Sequence, residues 1–305
     1  MKVLIIGLGS IGKKHISAIK QIDYTTEIYA LRSKSNAEQF LDVINIYRIE
    51  EIAETPIDFA IISNPTSEHR KTIEILSRYK FPLFIEKPLD ASIAIEEFVD
   101  SVAKSGIQTY VACNLRFLDC IKYVKQRFAN SQNKRLNEVN VYCGSYLPDW
   151  RPNSDYKKSY SAISELGGGV HIDLIHEIDY IYWLFGEPND VKRTFKSQST
   201  LSIPTIDYAN YVFEYNGFCT NIVLNYYRRD PKRILELIFE DETWVIDLLK
   251  NQITCNNKEV YTSKQLMSDT YYQQMEYFIE SLQNKTNTFN TISDAFKVLK
   301  ICLGK

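Results

Sequence analysis

The stretch Val3-Leu4-Ile5-Ile6-Gly7-Leu8-Gly9-Ser10-Ile11-Gly12 decides the first half of the fold. An apolar run of strand type enters a G-x-G-x-x-G turn, and an amphipathic run over 13–22 follows. Each glycine has its own reason. Gly7 permits the tight turn off the strand, Gly9 leaves room for a pyrophosphate against the backbone, and Gly12 lets the next helix pack closely on the sheet. The amides that open that helix, on Ser10, Ile11 and Gly12, lack partners within it and suit a phosphate. An ordinary glycine turn is the alternative; the strand before it and the helix after it tell against that.

The choice of dinucleotide is read past the second strand, 27–31. An Asp or Glu there grips the ribose hydroxyls of NAD. Here Arg32-Ser33-Lys34 follow instead. A guanidinium, a hydroxyl and an ammonium favour the 2′-phosphate of NADP(H) over NAD(H), unless they are simply solvated loop groups. Strand-like runs at 3–6, 27–31, 59–63, 83–85 and 108–112 alternate with helical patterns such as 69–79 and 93–105. Such alternation predicts an α/β region with a doubly wound parallel sheet, helices on both faces.

After residue 117 the pattern changes. A helix at 119–128 leads to alternating strands at 138–146, 207–215, 218–227, 234–239 and 243–247, with Asn216-Gly217 as a hairpin turn. Strands joined without helical crossovers make a mostly antiparallel sheet, so 118–305 is expected to be an α+β domain behind a dinucleotide domain at 1–117. Its sheet is expected to cover helices with one face and self-associate through the other. Tyr211, Phe213, Tyr215, Ile222, Leu224 and Tyr226 are candidates for either face, since sequence leaves the phase open. Helical patterns at 269–283 and 293–301 close the chain.

Over 305 residues the formal net charge is −2, with charges of both signs spread evenly. That excludes a nucleic-acid or membrane-surface footprint and points to a small-molecule partner. The six cysteines (113, 120, 143, 219, 255 and 302) form no C-x-x-C pair, so neither zinc nor a disulfide framework is expected. No leader or membrane span is read, and a cytoplasmic location is the expectation.

Two segments carry chemistry at the carboxyl ends of parallel strands, where doubly wound sheets bind ligands. They are Asn64-Pro65 with His69, and Glu86-Lys87-Pro88. Turns explain the prolines, but an ammonium ending a buried strand needs an oxygen partner. Further on, Gly167-Gly168-Gly169 precede what reads as one helix with Asp173, His176 and Asp179 on one face. His171 and His176 are five apart and point differently, so no metal is expected. Beside a carboxylate, a histidine is a general acid/base; a satisfied core histidine is the alternative. In the loop before that helix, Trp150, Arg151, Tyr156, Lys157 and Tyr160 suit stacking on a sugar ring and holding a phosphate or carboxylate, or are a polar loop with aromatic anchors.

These motifs, with Asn114-x-Arg116-Phe117, resemble in order the Gfo/Idh/MocA family of NAD(P)-dependent oxidoreductases. The resemblance implies an N-terminal Rossmann domain and an open-faced C-terminal sheet that often mediates oligomerisation, here a homodimer or homotetramer. It implies Lys87, Asp173 and His176 as catalytic residues, Asn64, Pro65, His69 and Glu86 beside the cofactor, and Asn114 and Arg116 beside the substrate. Many members place the histidine four residues after the aspartate with a glycine between; here the spacing is three, Ile175 stands near the glycine's place, and Glu177 is four on. A branch with Asp-Leu-x-His-Glu-Ile-Asp is similar, and implies hydride transfer on a sugar or nucleotide sugar, in surface-polysaccharide pathways. An NAD-linked cyclitol or free-sugar dehydrogenase is the enzymatic alternative, and a noncatalytic NADP(H)-binding sensor the other.

Overall fold

The computed structural model describes residues 1–33, 38–130 and 134–304. They form two compact units, one of Met1–Asn114 with Ser268–Leu299, the other of Leu115–Met267 with the residues from Lys300 on.

The first unit is built on a six-stranded sheet of β1 (Lys2–Ile6), β2 (Glu27–Leu31), β3 (Ile44–Ile46), β4 (Phe59–Ile62), β5 (Leu83–Ile85) and β6 (Thr109–Val111). The order is β3-β2-β1-β4-β5-β6 and every pair is parallel. The core strands β4, β5 and β6 are buried at every residue, as unbroken apolar runs such as Phe-Ala-Ile-Ile require when helices cover both faces. Helices α1 (Ser10–Ile22), α2 (His69–Ser77) and α3 (Glu96–Lys104) follow β1, β4 and β5. Strand order reverses between β1 and β4, which sets the carboxyl ends of those two strands, at Gly7 and Ser63, side by side. Strand β3 was not expected: three residues with only Ile46 buried carry too little pattern.

In the second unit α4 (Asp119–Asn130) precedes β7 (Leu136–Tyr146), α5 (Val170–Asp173) and α6 (Ile175–Phe185). Strands β8 (Asp190–Lys196), β9 (Tyr208–Tyr215), β10 (Phe218–Asn225), β11 (Tyr227–Phe239), β12 (Thr243–Asp247), β13 (Gln252–Cys255) and β14 (Lys258–Thr262) complete an eight-stranded sheet. Its order is β14-β13-β12-β11-β7-β10-β9-β8, antiparallel throughout except where β10 runs parallel to β7. Asn216-Gly217 turns the β9–β10 hairpin, and Gly217 takes a positive φ of 100°. The open phase is now decided: Tyr211, Phe213, Ile222, Leu224 and Tyr226 are fully buried, and Tyr215 at the end of its strand is half-buried. The other set, with Asn210, Val212, Asn221 and Val223, is half-buried.

Two expectations change. The closing helices α7 (Met267–Gln283) and α8 (Ile292–Leu303) were assigned to the second region, yet Ser268–Leu299 cluster with the parallel sheet. Phe278 packs edge-on against Phe59 and Phe84, at ring separations of 5.3 and 5.5 Å. The 288–290 segment also covers the last strand: Thr288 Oγ1 donates to Thr109 O, Val111 N to Asn290 O and Asn290 Nδ2 to Val111 O. Secondly, the expected single helix is broken at Leu174 (φ −99°, ψ 29°), so Asp173 ends α5 and His176 lies in the first turn of α6. They do not share one continuous helical face.

Candidate active site

Ideal Cβ atoms separate the three glycines of the turn by function. On Gly7 a Cβ would lie 2.3 Å from Asn64 N, and on Gly12 2.3 Å from Gly7 O, so the chain's own packing demands both glycines. On Gly9 it would meet nothing within 4 Å. That space fronts the first turn of α1, which has no acidic residue and no side-chain cap, so the cradle fits a dinucleotide pyrophosphate. Ser63 Oγ donates to Gly7 O at 2.8 Å and ties the two strand ends together. Past β2, Arg32 is half-buried and donates to Asn45 Oδ1 at 3.3 Å, while Ser33 is exposed. Lys34 lies outside the described residues.

The backbone is held at Lys87 itself and at the next residue, Pro88. On one side the buried Glu86 accepts from the Lys87 amide through Oε2 (3.1 Å) and meets His15 Nε2 through Oε1 (2.6 Å). Burial by itself raises the Glu86 pKa; the hydrogen bond and charge of His15, with Lys87, overcome it and leave the carboxyl below its ordinary value. On the other side lies His69, its Nδ1 3.0 Å from Pro88 O and its Nε2 3.0 Å from Asn64 O. Burial lowers the His69 pKa, and a neutral imidazole donates to one of these carbonyls at a time. The Lys87–Pro88 peptide is cis. His69 is buried and braces the 64–65 turn against the 87–88 turn. Pro65 is exposed, and Asn64 Nδ2 donates to Thr72 Oγ1 at 2.9 Å. Sequence reading missed His15, although a signal existed: it is the polar member of α1's buried face, with Gly12, Ile16, Ala18 and Ile19. Asn114 is buried, with Nδ2 donating to Thr270 Oγ1 at 2.9 Å.

In the second unit the buried Asp173 accepts a hydrogen bond from the hydroxyl of Tyr226. Burial first, then the Asp173 charge, pushes the Tyr226 phenol well above its ordinary value, so it acts as a donor. Tyr226 had no sequence signal, lying at the end of an apparent strand like any core tyrosine. His176 is half-buried in the first turn of α6. Glu177 is fully buried and gripped by Arg233, Nε to Oε1 at 2.6 Å.

The remaining residues read from the sequence have the following partners within the chain. Arg116 is buried, and its guanidinium forks onto Asp179 through Nε–Oδ2 (2.9 Å) and Nη2–Oδ1 (2.7 Å), a buried ion pair. Tyr156 and Tyr160 donate to Leu201 O and Gly167 O. Their hydroxyls brace the loop. Trp150 is 40% exposed, donates to Ser145 Oγ and sits edge-on to Tyr226 at 5.4 Å, and Arg151 beside it is exposed. His171 is a core histidine whose pKa burial pushes down to about 4. Among the described residues no three His, Cys, Asp or Glu gather as a metal site, and no helix is long and apolar enough to cross a membrane.

Residues 1–113 match the model of the oxidoreductase family with an NAD-binding Rossmann fold, and residues 122–245 match the GFO/IDH/MocA C-terminal domain. A myo-inositol 2-dehydrogenase of Thermotoga maritima is 24% identical over 313 residues, covering 93% of this chain and 89% of that protein. The fold is that of the UDP-N-acetylglucosamine 3-dehydrogenase of Acidithiobacillus ferrooxidans (TM-score 0.78, 19% identity, 99% of this chain and 95% of that one). It is also that of the WlbA dehydrogenase from Bordetella pertussis in complex with NADH and UDP-GlcNAcA (TM-score 0.82, 16% identity, 99% and 94%).

Proposed function

The chain belongs to the Gfo/Idh/MocA oxidoreductase family, and on that premise we propose that it transfers a hydride between a nicotinamide and a hydroxyl- or oxo-bearing carbon of a sugar or nucleotide-sugar-like substrate. The observation that carries this reading is the bracing around Lys87, where buried His15 meets the Glu86 that accepts from the Lys87 amide and buried His69 meets the carbonyl of the adjoining Pro88. Such investment suits a group that must point in one direction. The bound cofactor supplies or accepts the hydride. The amides of Ser10, Ile11 and Gly12 would hold its pyrophosphate beside Gly9, with Asn64 and Pro65 flanking the turn. Arg32 and Ser33, with no acid beside them, favour NADP(H) over NAD(H).

Lys87 polarises the reacting oxygen and stabilises developing alkoxide charge. His176 exchanges that oxygen's proton, and Asp173, fixed by Tyr226, binds a neighbouring hydroxyl. The names of the inositol and UDP-sugar dehydrogenases above support a polyol or sugar ring as the substrate. The half-buried face of the second unit's sheet is the surface for self-association.

The test is Lys87→Ala assayed against UDP-N-acetylhexosamines and cyclitols with both cofactors. Turnover should fall roughly 10²–10³-fold while cofactor affinity changes little. A folded Lys87→Ala protein with near-parental turnover on the substrate that the parent uses refutes the assignment.

A further inference from the structure

Residues 228–233 read Arg-Arg-Asp-Pro-Lys-Arg, four cations and one acid in a chain of formal net charge −2. Strand β11 sets Tyr227 opposite Tyr146 and Lys232 opposite Gly144, so residues 228–231 leave the ladder as a bulge. Arg233 is paired to Glu177, and the other three cations lie over tyrosine rings. The Arg229 guanidinium carbon is 3.7 Å from the Tyr146 ring centroid, and Arg228 and the Lys232 Nζ are 5.1 and 5.3 Å from that of Tyr142. Asp230 neutralises Arg228 at 2.5 Å. Among the described residues, Arg229 and Lys232 have no acidic partner at ion-pair distance.

A chain of contacts joins this cluster to Asp173. Tyr146, under Arg229, follows Ser145, which accepts the Trp150 indole; Trp150 lies against Tyr226; and Tyr226 holds Asp173. We propose that Arg229 and Lys232, seated on Tyr146 and Tyr142, form an anion site for the diphosphate of a nucleotide-linked sugar whose ring reacts beside Asp173. This rests on the hydride-transfer reading and deepens it by naming the substrate class, since a cyclitol carries no diphosphate. A charge run that merely stays solvated needs neither a bulge nor rings beneath it. Here the rings offset the repulsion between like charges and fix the planes of the donors, which lowers the ordering cost of gripping phosphate oxygens.

Calorimetric titration of the protein saturated with reduced cofactor tests this, because saturation fills the dinucleotide cradle first. The probes are UDP, inorganic pyrophosphate and uridine. UDP should bind, uridine should not, and the doubly substituted Arg229→Ala, Lys232→Ala protein should bind UDP roughly ten- to a hundredfold more weakly. The charge-preserving Arg229→Lys, Lys232→Arg protein should retain most of the affinity, which separates lost charge from lost fold. UDP binding that is absent in the parent, or unchanged in the alanine protein, overturns the proposal. Pyrophosphate binding as tightly as UDP assigns the site to a free anion and overturns the nucleotide assignment. The hydride reading stands or falls separately on Lys87→Ala turnover, which these titrations do not use.

Discussion

Replacing Arg116 by alanine is expected to destabilise the second unit by about 3–5 kcal/mol, the cost of stranding a buried carboxylate without its counter-ion. The Arg116 and Asp179 side chains are 3% and 10% exposed, and two charge-assisted hydrogen bonds join them. The guanidinium also lies over Trp183, 5.7 Å from the ring centroid. Removing it leaves Asp179 with neither charge nor donors where water does not replace them. For a unit of this size the loss corresponds to roughly 6–20 °C in unfolding midpoint. Urea unfolding followed by circular dichroism gives the free energy. Arg78→Ala is the control: its partner Glu74 is 3.7 Å away and both side chains are more than half exposed, so a change within about 0.5 kcal/mol is expected. Exchanging both partners for apolar residues, Arg116→Met with Asp179→Leu, should recover most of the loss. A loss below about 1 kcal/mol in Arg116→Ala, accompanied by a raised KM, would return Arg116 to the substrate and refute the structural role.

The glycine turn predicts opposite outcomes at neighbouring positions: Gly12→Ala should fail to fold or lose stability severely, because its Cβ meets backbone, whereas Gly9→Ala should unfold like the parent yet bind NAD(H) poorly by fluorescence titration. A stable Gly12→Ala protein sinks that account. His171 sets a pH dependence. Its folded pKa, about 4, lies below the ordinary 6.5, so the unfolded chain takes up its proton first and stability falls as pH drops through that window, then levels off. The contribution is roughly 3 kcal/mol, and His171→Leu should flatten the acid limb of the stability curve; an unchanged limb contradicts it. Arg32→Ala should weaken NADPH more than NADH by about 1.5–3 kcal/mol, and equal affinity of the parent for both rules out the 2′-phosphate role.

What sequence alone determined about this protein is local chemistry. Strand β1, its glycine turn and helix α1 were legible because glycine spacing and the change from apolar run to helical period lie within a few residues. The same holds for the Asn216-Gly217 hairpin, and for Lys87 as the residue that turn-forming prolines do not explain. Tertiary structure decided the partners. His15 reaches Glu86 across 71 positions, Arg116 reaches Asp179 across 63, and Tyr226 reaches Asp173 across 53. Packing likewise placed Ser268–Leu299 on the parallel sheet, chose which face of β9 and β10 is buried, and broke the helix at Leu174 between Asp173 and His176. The physical reason is that periodicity states which residues must be buried and burial demands that each polar group find a partner, but only the packed chain brings one within hydrogen-bond reach.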